Sequence, residues 1–207
     1  MNQIFGLDGP VFKGMNELTV LVALNFLTLL FSIPIVTAGA AITSMHYIII
    51  QHREGTEGKI LPTYWKQFKG NLKTATPVWM LFLAAGFFIF MDYLIVTQSS
   101  AIPDFFIIPI SVAGVLIASV AAFAFPLMAK FENTLRATLK NAALLAVANF
   151  PKTVTILVIH LGCLFLFTQV TRLMPIAFLM GISLPADLSS LLYWPVLRSL
   201  IPEDERF

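Results

Sequence analysis

The side chains able to do chemistry in this chain lie inside or beside long apolar runs, and they are few: Asn25, Asp92, His160 and Asp187 stand out. An ionisable group well inside a membrane span costs at least ~2.5 kcal/mol on insertion scales, so each needs a partner, a route to water or a function. Asp92 sits near the outer end of its run beside Tyr93, where it reaches the interface; a pathway or partner role is the alternative. His160 is mid-run, and the pattern suits a neutral imidazole hydrogen-bonded to a neighbouring helix, with a proton relay or ligand as the sharper reading. Asp187 lies in SLPADLSS, where Ser183 can cap a helix, Pro185 suits its first turn and a carboxylate favours the positive end of the macrodipole. The competing reading breaks the last run here and turns Asp187 toward a polar cavity, with His160 across from it. Asn25, Thr28 and Ser32 share one helical face, the pattern of interhelical hydrogen bonds, with a substrate path as the alternative.

Motifs of enzymes are missing from the sequence: it has no GxxxxGK[ST] phosphate loop, no HExxH pair, no GxSxG elbow and no Gly-rich dinucleotide turn. A non-enzymatic protein without a cofactor is the expectation. The sole cysteine, Cys163, lies in an apolar run, where a thiol behaves as a small hydrophobe. It excludes an intrachain disulfide.

The elements that must hold these groups follow from composition. Of 207 residues 58% are hydrophobic and 12% charged, with a mean hydropathy of +0.86. That is an all-α, polytopic membrane protein rather than a soluble domain, organised by the lipid bilayer as one integral membrane domain over residues 1–207. Apolar runs of about 20 residues suffice to cross, and about five are present. The opening stretch MNQIFGLDGPVFKGMNEL lacks a cleavage site after a short apolar core, so the first run is expected to stay in the mature protein.

The first run, Glu17 to Ile50, would be roughly 50 Å as a straight helix, too long for one upright span. Pro34, followed by Gly39, is expected to break it. One kinked crossing with an external N-terminus is the first reading, and a hairpin of two short helices the alternative. Residues 51–76 carry Arg53, Lys59, Lys66, Lys69 and Lys73, with Leu61, Tyr64, Trp65, Phe68 and Leu72 at helical spacing on another face. This predicts a cytoplasmic amphipathic helix in the headgroup plane that leads straight into the next span, Pro77 to Val96. Asp104 to Ala129 returns inward, with Gly114, Ala118 and Ala122 as a stripe for close helix packing.

Residues 130–152 form a second basic amphipathic stretch, in which Lys130, Glu132, Arg136 and Lys140 read as a solvated interfacial face or as a docking surface. Thr153 to Thr171 and Leu173 to Leu197 complete the spans, and Trp65, Trp79 and Trp194 suit interfacial anchors. In this arrangement every Lys and Arg except Lys13 and Arg172 faces the cytoplasm. A hairpin at Pro34 moves Lys13 inside too, so charge alone does not choose. Basic residues placed between apolar runs set orientation and give no reason to expect nucleic acid. A weak internal echo, KGNLKTATPVW against VANFPKTVTIL, relates residues 17–97 to 104–171, with 173–197 added.

Asn25, Pro34, Thr37 and Gly39 in the first run, and FPLMAKFENTLRATLKNAALLAVANFPKT from Phe125 to Thr153, carry a likeness to a family. In the second string Lys130, Phe131, Glu132 and Asn133 precede Leu139, Lys140, Asn141 and Ala142. Over most of its length the chain resembles the YesL family of bacterial membrane proteins, found mainly in Gram-positive species. Lys130 stands where the family usually has Arg, and Gly39, Ala40, Ala41 stand where it shows Gly-Pro-Ala. The resemblance implies a protein of the bacterial cytoplasmic membrane associated with carbohydrate ABC transporters and polysaccharide breakdown. A sugar ABC permease or ATPase is the partner it suggests.

Together these readings favour an accessory or assembly component. A sugar transporter usually needs a polar midplane site, which the runs do not display. A small self-sufficient transporter and a membrane-bound sensor remain as alternatives.

Overall fold

The structure is a computed structural model that describes residues 10–56, 58–99 and 102–203. Among these residues it is all-helical: α1 Pro10–Phe31, α2 Ala38–Glu54, α3 Ile60–Gln98, α4 Ile107–Lys130, α5 Leu135–Ala148, α6 Phe150–Gln169, α7 Met174–Met180 and α8 Ser183–Arg198. Short 3-10 turns precede α2, α4 and α7.

The first run is a hairpin, not a kinked crossing. Pro34 offers no N–H and disfavours helical backbone at Ile33, so α1 ends at Phe31 and a 3-10 turn, Ile35–Thr37, follows. The carbonyls freed there find donors. Thr37 Oγ1 donates to Phe31 O at 2.7 Å and to Pro34 O at 2.8 Å, and Trp79 Nε1 donates to Ile35 O at 2.7 Å. Helix α2 then runs back along α1, placing His52 near its end 3.9 Å from Glu17 near the start of α1. Both ends of the hairpin therefore lie on one side, that of Gly55 at the end of α2.

Gly39 is not part of the break. It sits in the first turn of α2, where a Cβ would come within 2.5 Å of Trp79 Cβ and 2.7 Å of Ala75 O. Its bare Cα lets α2 and α3 touch; a methyl group there is expected to cost ~1–3 kcal/mol as overpacking.

Helix α2 is the axis of the bundle. Its small residues Ala38, Gly39, Ala40, Ala41, Thr43 and Ser44 are all buried, with α1, α3, α4 and α8 packed around it. Thr43 and Ser44 donate back to Gly39 O and Ala40 O, so burial leaves neither hydroxyl without a partner. Gly55, at φ 71°, closes its C-terminus in the left-handed conformation.

Helix α3 has 39 residues and runs through Pro77 without interruption. Its amphipathic first half leads directly into the apolar second half, and its inner face is taken by protein rather than by lipid headgroups. Tyr64, Phe68 and Ala75 are buried, and Phe31 packs on Tyr64, Trp65 and Phe68 with centroids 5.7, 5.3 and 4.7 Å away. Helix α4 packs back on α3, Phe125 lying 6.1 Å from Trp79 and 5.9 Å from Phe82 between ring centroids. Gly114 faces Ile89 at ordinary contact distance. Helix α5 starts at Thr134, whose hydroxyl accepts from Ala137 N.

Helices α1, α3, α4 and α6 are each long and apolar enough to cross a membrane; α7 and α8, bent by 68° at a short break, make a fifth candidate. Phe87, Phe88, Val158, Leu161 and Phe165 point outward from these segments, as side chains facing hydrocarbon do.

Candidate functional site: a polar core around α2

The break between α7 and α8 frees backbone groups that a buried side chain collects. Asn25, fully buried on α1, donates through Nδ2 to Phe178 O at 2.9 Å, while its Oδ1 accepts from Ile182 N at 2.9 Å and Ser183 N at 3.4 Å. One amide thus replaces the helical bonds interrupted at Gly181. Ser183 does not cap α8: it is the first residue of that helix, and its buried Oγ has no hydrogen-bond partner among the described residues. Tyr64 Oη donates to Ala41 O at 2.9 Å and lies within hydrogen-bond distance, 3.2 Å, of the Oγ1 of Thr28, one turn beyond Asn25. Ser32 is only half-buried, beside the turn.

At the end of α2 two consecutive residues of opposite charge reach two different helices. Arg53 Nη2 pairs with Asp187 Oδ1 at 2.7 Å and donates to Asp187 O at 3.2 Å, and Arg53 Nε donates to Ser190 Oγ at 2.8 Å. Ser190 Oγ in turn donates to Asp187 O at 2.6 Å. Glu54 pairs with Lys130, the last residue of α4, whose ammonium also lies 5.6 Å from the centre of the Trp194 ring. Both ion pairs are partly screened from water, with side chains 19–26% exposed. Glu17, His52, Arg53 and Asp187 border a small recess of about 20 Å³, room for a single water.

Asp187 therefore belongs to an ion pair with Arg53, neither to a cap nor to a cavity shared with His160. A carboxylate near the start of α8 still suits the macrodipole, yet the guanidinium, not the helix end, holds it. His160 lies on the outside of α6, its Nδ1 2.9 Å from Ile156 O and 3.3 Å from Ser189 Oγ. The buried histidine is His46, whose Nδ1 is 2.9 Å from Tyr193 Oη.

Asp92 is exposed on the outer half of α3. The Lys130, Glu132, Arg136 and Lys140 group does not form one surface. Lys130 turns inward to Glu54, whereas Glu132, Arg136 and Lys140 are exposed around the α4–α5 corner. An open groove of about 520 Å³ lies there, lined by Leu127, Phe131, Glu132, Asn141, Leu144 and Leu200 among others. Trp79 is a hydrogen-bond donor to the hairpin turn and Trp194 a platform for Lys130, while Trp65 is exposed beneath Lys69.

Sequence reading missed Arg53 and Glu54 as partners, along with His46, Tyr193, Ser189 and Ser190. A signal was present for some of them. Adjacent opposite charges end an apolar run, and Asp187 with Ser190 sits at i, i+3 on one face of a helix. Among the described residues no group of three or more His, Cys, Asp or Glu side chains is arranged to hold a metal ion.

Helical spans around a buried polar core define a multi-pass α-helical membrane protein. Residues 21–93 match a family described as a protein of unknown function, DUF624; they cover the second half of α1, the Pro34 turn, α2 and α3 as far as Tyr93. The chain is 25% identical over 116 residues to the uncharacterized protein YteU of Bacillus subtilis (strain 168), an alignment covering 56% of this chain and 52% of that protein. It thus spans about half the length of the curated relative it matches. No solved structure matches.

Proposed function

We propose that this protein is a non-enzymatic accessory or assembly subunit that works beside a carbohydrate ABC transporter in the bacterial cytoplasmic membrane. The observation that carries this reading is the pairing of charges at the end of α2. Arg53 with Asp187 and Glu54 with Lys130 bind α2 to α8 and α4, a brace rather than a passage, and the recess beside Arg53 and Asp187 has room for one water. The surface left for a partner is the α4–α5 corner, where exposed Arg136 and Lys140 stand beside the groove lined by Leu127, Phe131 and Leu144. The carbohydrate link rests on the resemblance of the Asn25 to Gly39 and Phe125 to Thr153 strings to the YesL family.

The test is a mild-detergent pull-down of the tagged protein from its native host, with co-purifying membrane proteins identified by mass spectrometry. A sugar ABC permease recovered near one to one, and lost in R136Q/K140Q, supports the reading. Recovery of the protein alone overturns it.

A self-sufficient transporter is the second reading, favoured by the buried hydrogen-bonded pair His46–Tyr193 and the His160–Ser189 contact along α8. Sugar uptake by the purified protein in vesicles, abolished in His46→Ala, would select it.

A further inference from the structure

The amphipathic half of α3 keeps its apolar side for α1 and α2 and turns its cations outward. Lys66, Lys69 and Lys73, at i, i+3 and i+7, are all exposed, and Lys59 just before the helix is exposed as well. No Asp or Glu occurs between Gly58 and Met91, so this row has no carboxylate on its own half of α3 to neutralise it. Lysines three and four apart on one face repel each other, and among the described residues no carboxylate is paired with Lys66, Lys69 or Lys73. Two other cations are treated differently, Arg53 being paired with Asp187 and Lys130 with Glu54.

The geometry points to an anionic-lipid binding surface: Lys66, Lys69 and Lys73 hold the phosphate headgroups of acidic phospholipids at the start of the apolar stretch of α3. Lipid is the occupant because the row sits on the helix that enters the apolar stretch at Pro77, one turn after Lys73. Clusters of Lys or Arg immediately next to a span collect anionic headgroups by simple electrostatics. Trp65, 43% exposed with Lys69 Nζ 5.1 Å from its ring centre, supplies the amphipathic aromatic surface that favours the headgroup layer. The inference is independent of the proposed transporter partner, which uses another corner of the molecule.

The experiment titrates the purified full-length protein in neutral detergent with phosphatidylglycerol or phosphatidylcholine and counts bound lipid by native mass spectrometry. The wild type is expected to retain phosphatidylglycerol roughly five-fold better than phosphatidylcholine. K66Q/K69Q/K73Q should lose that preference while melting with the wild type, and K66R/K69R/K73R should keep it. Equal retention of both lipids by the wild type, or an undiminished preference in the glutamine variant, overturns the proposal. Displacement of phosphatidylglycerol by inorganic phosphate, but not by chloride at the same ionic strength, would assign the row to a soluble anion and overturn it too.

Discussion

Arg53 and Asp187 are 134 positions apart in sequence, yet Nη2 of the first lies 2.7 Å from Oδ1 of the second. The contact ties the last turn of the central helix to the helix that follows the α7–α8 break. It also decides how both residues behave: neither is a loop charge or a cap, and each is the other's counter-ion. A charge-assisted bond of this kind is worth more than a neutral one because the low dielectric around it weakens the competition from water.

Removing both members should cost less than the two single losses added together. Asp187→Ala leaves the guanidinium with Ser190 Oγ and the backbone carbonyl of residue 187 but without its counter-ion, and is expected to cost about 2 kcal/mol. The Arg53→Ala and Asp187→Ala pair together should cost less than the sum of the two. Thermal melting of the four proteins in detergent gives the coupling energy directly. Strict additivity would show that the two side chains act independently.

Asn25 serves three backbone groups at once, so its loss should be felt at the break rather than along α1. Asn25→Ala is expected to destabilise the protein by roughly 2–3 kcal/mol, since Phe178 O and the N–H groups of Ile182 and Ser183 lose their partner in a buried place. Amide hydrogen exchange should rise at Ile182 and Ser183 with little change in α2. Unchanged exchange at those two amides would remove Asn25 from this role.

The hairpin predicts that both ends of the first run face the same compartment. With Cys163 replaced by serine, a single cysteine at Gly14 and one at Thr56 should be blocked together by a membrane-impermeant maleimide only after the inner side is opened. Labelling of the two positions from opposite sides would restore the kinked crossing. Charge counting fits the hairpin, since Lys13 then joins the other cations inside and Arg172 is left outside.

Much of the architecture was legible because bilayer insertion acts on local sequence. Four long apolar helices, the amphipathic stretch leading into α3 and the failure of helix at Pro34 each follow from composition and backbone chemistry within a window of a few turns. Asn25 and Thr28 could be picked out because an amide and a hydroxyl on one face of a span need partners. Which partners they take was not legible: Phe178 and Tyr64 lie on other helices.

By itself the sequence determined that this is a multi-pass helical protein, where its chain must break and which few polar groups sit among the apolar ones. Tertiary structure alone decided that the first run folds back as a hairpin, because Thr37 and Trp79 satisfy the turn at Pro34. It also decided that Gly39 is a contact point with α3, that Lys130 turns inward to Glu54 while Arg136 stays outside, and that Asp187 belongs to Arg53. Local rules fix how a segment can bend and what it can bury. Counter-ions and hydrogen-bond partners are chosen by which helices pack side by side, and that choice is made by the whole bundle.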